Sequence, residues 1–158
     1  MDLSGILMNS LWGGLFGAGI AILLTAPREY LVATFFCGFV GRLVRDILTG
    51  LHLGQNLSIV IAAAVVVLVA VAIIRSHKVS PVVMICGVLP LGAATAMFNM
   101  VLGLMKLPKV SGNELRAASI EYTSNLATVF VTSLSIALGM GIGMAIVRLF
   151  RRKESVEV

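Results

Sequence analysis

Apolar and charged positions are segregated along this chain into long uncharged stretches and short charged knots. Residues 3–24 hold no charge, and at about 1.5 Å per residue they can cross a hydrocarbon core of about 30 Å. No basic stretch precedes them, and they are longer than the roughly 7–15 residues of a signal-peptide core, so they read as a first span. Pro27 stops that helix. Residues 30–51 form a second span, apolar at first and then carrying Arg42, Arg45 and Asp46. Residues 57–74 are the cleanest span, a run of Ala, Val, Leu and Ile with one Ser. Residues 80–105 form a fourth, interrupted by Pro90 and Gly92, and residues 120–150 a fifth, strongest from Leu126 onward. The fifth helix is expected to begin earlier, near Glu114, and to stand proud of the membrane.

Composition narrows the class. Of 158 residues, 59% are hydrophobic and 12% charged, against about 25% charged in a soluble domain. A transmembrane β-barrel would alternate in segments of about ten residues, and none is visible. The pattern predicts an all-α polytopic integral membrane protein: about five transmembrane helices, the fourth broken at Pro90, in a single transmembrane domain over 1–158. The net charge of +5 comes mostly from basic residues at helix ends, where they set topology and meet anionic lipid. No aromatic-interleaved basic patch suggests nucleic acid. Placing the C-terminus in the cytoplasm puts Arg28, Arg75, Lys78, Arg148, Arg151, Arg152 and Lys153 inside and Lys106, Lys109 and Arg116 outside, seven against three. The expectation is therefore N-terminus outside and C-terminus cytoplasmic.

Little in the chain supports enzymatic chemistry. Cys37 and Cys86 fall inside spans without nearby His partners and read as small core residues. His52 and His77 lie in loops. No phosphate-binding loop, zinc-protease motif or nucleophile elbow is present, and no metal or cofactor is implied. The second span is different, because an ionisable residue near the centre of a membrane helix costs about 2.5–3.5 kcal/mol on insertion scales. At 100° per residue Gly38, Arg42, Arg45 and Asp46 share one helix face. Arg42 and Asp46, four apart, can pair, which leaves Arg45 as the counter-charge for something anionic. Gly38 leaves room for a ligand or a neighbouring helix. The alternative is that the charged groups lie near the outer end and snorkel. Counted from Glu29, however, Arg42 lies about 20 Å and Arg45 about 24 Å along the helix.

The fourth span carries a second feature. Pro90 cannot donate a backbone hydrogen bond and crowds the carbonyl of Cys86. A break there exposes the N-terminus of a second half-helix, whose free amides and partial positive charge suit a carboxylate. Thr95 and Asn99 follow on one face of that half. The alternative is an ordinary proline kink, with Asn99 bonding a neighbouring helix. The pairs Gly13/Gly17 and Gly139/Gly143 read as close-packing motifs. Glu121, Thr123, Ser124 and Asn125 read as a solvated rim or the mouth of a pathway, with Asn125 the strongest candidate for a site.

The order and spacing of several short motifs resemble the small (YjjB-like) subunit of the threonine/serine exporter family. They are Cys37-Gly38-Phe39-Val40-Gly41-Arg42-Leu43-Val44-Arg45 in the second span, Arg75-Ser76-His77-Lys78-Val79 after the third, Val88-Leu89-Pro90-Leu91-Gly92 in the fourth, and Thr123-Ser124-Asn125-Leu126 opening the fifth. The resemblance covers nearly the whole chain. It implies export of small carboxylates, threonine and serine or a dicarboxylate such as succinate, across the bacterial inner membrane. It also implies a larger membrane subunit carrying the other half of the transporter. Arg45 and Pro90 match a family arginine and proline; Gly92 stands where some relatives have a second proline, and Arg42 and Asp46 are less typical. The expected substrate-binding set is Arg45, Arg42, Asp46, Pro90, Gly92, Thr95, Asn99 and Asn125. A structural or assembly subunit without its own substrate site, or a pore-forming homo-oligomer, are the rival readings.

Overall fold

The computed structural model describes residues 3–74, 81–92, 94–109 and 111–154. The basic cap at Arg75, His77 and Lys78 lies outside the described residues, as do the side chains of Arg151, Arg152 and Lys153. The chain is all-α: α1 (Leu3–Leu23), α2 (Glu29–Gly50), α3 (Gln55–Ile74), α4 (Pro81–Val88), α5 (Ala94–Lys106) and α6 (Asn113–Glu154), with no strand among the described residues. Stretches Ser4–Leu23, Gln55–Ile74 and Glu114–Phe150 are long and apolar enough to cross a bilayer. α2 matches α1 and α3 in length but carries Glu29, Arg42, Arg45 and Asp46. The molecule is a polytopic helical membrane protein.

The fourth apolar segment is broken. α4 ends at Val88, a 3-10 turn covers Leu89–Leu91, and α5 starts only at Ala94. Pro90 lies in that turn, where its missing N–H leaves no helical bond to lose. The helix that carries the last apolar run starts at Asn113, because Gly112 adopts φ +66° before it and ends the preceding loop.

The chain forms two compact units, Met1–Leu91 with Ser135–Val158, and Gly92–Leu134. In the first, α2 packs against α1, α3 and α4. Its core is made mostly of small side chains: Ala33, Cys37, Ala62, Ala63, Val66, Ala70, Val83 and Val88, with Leu91 the largest among them. Large ones such as Trp12, Phe16, Leu23, Phe36 and Leu68 face outward. That inversion suits lipid. Leucine gains nothing by moving from acyl chains into a helix interface, whereas small residues let backbones approach and gain dispersion contacts.

Glycine sets those approaches. A Cβ on Gly38 would lie 2.8 Å from the carbonyl oxygen of Gly13, so α1 and α2 cross backbone to backbone. One on Gly87 of α4 would lie 2.6 Å from Cβ of Cys37. On α6, a Cβ at Gly139 would strike the carbonyl of Val60, and one at Gly143 would lie 2.9 Å from Cβ of Val67. Both glycine pairs flagged by the sequence are therefore packing sites. Hydroxyls in these helices bond their own backbone, as Ser10 does to Ile6 and Thr34 to Leu31. The second unit is a hairpin of α5 and the N-terminal part of α6, in which Gly103 rests on Tyr122.

Gly38→Ala is expected to destabilise the purified chain by about 1–3 kcal/mol through overpacking. Gly19→Ala, where nothing lies within 4 Å, should leave it unchanged or slightly more stable. Denaturant unfolding in detergent reads both, and equal effects at the two positions would remove the special role given to Gly38.

Candidate functional site

The charged end of α2 meets the break after α4. Arg42 extends from α2 over Gly13 of α1, where any side chain would collide with it: a Cβ on Gly13 would lie 2.9 Å from Cβ of Arg42. Its guanidinium does two things. Nε stands 3.4 Å from Oδ2 of Asp46, one turn further along, and Nη1 donates a 3.1 Å hydrogen bond to the carbonyl of Pro90. The last carbonyls of any helix lack amide partners, and in lipid such a group cannot turn to water. Arg42 supplies the donor that the interrupted segment needs at Pro90.

Arg45 lies one turn along the same helix, within electrostatic reach of Arg42 and Asp46. Its Nε is buried and meets no hydrogen-bond acceptor among the described residues. Two arginines face one aspartate, so the cluster holds an excess positive charge. Nε of Arg42 and Oδ2 of Asp46 are also buried without a hydrogen bond; at 3.4 Å they attract as ions without bonding geometry. The side chains of Arg42 and Asp46 remain 29% and 18% exposed, so the cluster is reachable. The space that Gly38 leaves is taken by α1, the neighbouring helix, rather than by a ligand.

The predicted residues fall into two groups. Arg42, Arg45, Asp46 and Pro90 belong to the first unit. Gly92 opens the second, and the side chain of Thr95 lies outside the described residues. Asn99 and Asn125 come together in an open groove of about 630 Å³ in the α5–α6 hairpin, lined also by Ala117, Ile120, Glu121 and Ser124. Nδ2 of Asn125 donates to the carbonyl of Glu121 at 2.9 Å. One participant escaped the sequence reading: Gly13, the seat of Arg42. Glu121, expected at a rim or a pathway mouth, lines the groove with Asn125, four residues further along the helix.

Cys37 and Cys86 are both free and buried. Among the described residues no group of His, Cys, Asp and Glu is placed to hold a metal ion.

Exchanging the charges, Arg42→Asp with Asp46→Arg, preserves an i,i+4 ion pair but leaves the Pro90 carbonyl without its donor. The exchanged chain should remain less stable than the original by about 1–3 kcal/mol, the cost of one orphaned buried polar group. Full recovery in denaturant unfolding would show that the ion pair alone matters.

Comparison with known proteins adds one positive finding. No curated protein and no solved structure matches the chain. The family model described as "Threonine/Serine exporter, ThrE" matches residues 10–150, a stretch that includes Arg42, Arg45, Asp46, the break at Pro90 and the hairpin groove. The chain is therefore a transport protein belonging to the threonine/serine exporter family.

Proposed function

We propose that this chain is a subunit of a secondary transporter that exports small carboxylates, threonine and serine or a dicarboxylate such as succinate, across the bacterial inner membrane. The observation that carries this reading is Arg45, whose buried Nε has no acceptor among the described residues while its cluster holds an unbalanced positive charge. A guanidinium is a rigid fork of donors suited to a carboxylate. Arg42 and Asp46 serve a supporting role, because Arg42 is already engaged by Asp46 and by Pro90. Arg45 is the member still free to take a substrate anion. The chain holds no nucleotide-binding motif, so an ion, proton or substrate gradient drives export.

The exporter is completed by a larger membrane subunit, with the N-terminus of this chain outside and its C-terminus cytoplasmic. The α5 N-terminus, with Gly92 before it, offers backbone amides to a second carboxylate. A second reading, that of an assembly subunit, draws on the glycine-lined crossings and on the hydrogen bond from Arg42 to Pro90. It predicts that Arg45 is dispensable.

Arg45→Gln should slow efflux of preloaded threonine or succinate from cells about tenfold or more, since a hydrogen bond to a charged group is worth about 1.5–3 kcal/mol. Arg45→Lys should recover only part, because it restores charge without the fork. Efflux at the original rate, at equal membrane levels of both variants, would favour the assembly reading.

A further inference from the structure

The hairpin groove has a chemistry opposite to that of the arginine cluster. Its one charged lining residue is Glu121, and no basic side chain lines it. Arg116, on the same helix, lines a different groove with Ser119 and Thr123. Five residues at 100° each put Arg116 about 140° around the helix from Glu121. The single ion pair among the described residues is Arg42–Asp46, so Glu121 has no cation at pairing distance there.

Hydrogen-bond accounting points the same way. Asn125 donates one of its two amide N–H groups to the carbonyl of Glu121, and the reverse orientation would set oxygen against oxygen. Its Oδ1 therefore remains as an acceptor. Along this stretch Ser119, Thr123 and Thr128 likewise turn their hydroxyl protons back onto the carbonyls of Leu115, Ser119 and Ser124. In the groove itself α6 presents the Glu121 carboxylate, Oδ1 of Asn125 and the hydroxyl oxygen of Ser124 as acceptors. Asn99 brings a further side-chain amide to the groove from α5. Glu121 also opens the uncharged run 122–147, which at 1.5 Å per residue is about 39 Å long, the thickness of a bilayer with its headgroups. It stands exposed at one end of that run.

We propose that the α5–α6 groove is a binding site for a small monovalent cation, with Glu121 as its counter-charge and the side-chain oxygens of Asn125 and Asn99 as neutral ligands. The cation is either the ammonium group of an amino-acid substrate or an inorganic ion. The site stands on the hairpin alone and does not depend on Arg45.

Thermal unfolding of the purified full-length chain in detergent tests it, in ethylammonium chloride, sodium chloride or choline chloride at equal ionic strength. Choline, bulky and without an N–H, is the reference. The expected result is a midpoint raised by several degrees in ethylammonium or sodium over choline. The rise should vanish in Glu121→Gln and persist, reduced, in Glu121→Asp. A rise in ethylammonium alone assigns the site to a substrate amine; a rise in sodium assigns it to an inorganic ion. Arg45→Gln should keep the shift, which separates failure of this site from failure of the carboxylate reading. No rise with either cation, or an equal rise in Glu121→Gln, would overturn the proposal.

Discussion

Hydrocarbon offers no hydrogen bonds, so polar atoms in a membrane helix are satisfied from within the protein or left as sites with a purpose. This constraint accounts for most of the local structure here. Serine and threonine hydroxyls fold back onto their own helices, at Ser10, Thr34, Ser58 and along α6. The interruption at Pro90 is tolerated because a guanidinium from another helix reaches its carbonyl. Arg42 thus acts as part of the backbone hydrogen-bonding scheme of the fourth segment, although it sits on the second.

Such a bond requires α1, α2 and the broken segment to lie very close together, and glycine makes that distance possible. Gly13 clears the stem of Arg42, while Gly38 and Gly87 let α2 meet α1 and α4 with almost no side chain between. Packing and electrostatics are coupled at this point. A methyl group at Gly13 would displace the arginine that supports the break, so a change on α1 would be felt in the charged cluster on α2.

Two polar centres of opposite sign emerge, one in each compact unit. The arginine cluster has an excess positive charge and a buried donor unpaired among the described residues, and the hairpin groove has a carboxylate beside two side-chain amides. Both lie within the stretch matched by the exporter family. An amino acid carries a carboxylate and an ammonium group, a dicarboxylate only the former. The proposed substrate classes therefore differ in the charges they present.

Helical class and the polar breaches were legible from the chain itself, because hydrophobic run length and charge placement follow directly from the thickness and polarity of a bilayer. The i,i+4 pairing of Arg42 with Asp46 was legible too, since helical geometry alone brings those residues together. The same geometry left Arg45 without a partner on its own helix. Long-range contacts were not legible. The reach of Arg42 to Pro90, 48 positions away, and the closure of α1 over Gly38 depend on how helices pack. In lipid that packing is decided by surface fit between small residues, which a one-dimensional hydrophobic pattern does not encode. The pairing of Asn99 with Glu121 and Asn125 in one groove was hidden for the same reason: periodicity marks a helix face, and only the tertiary structure decides what that face meets.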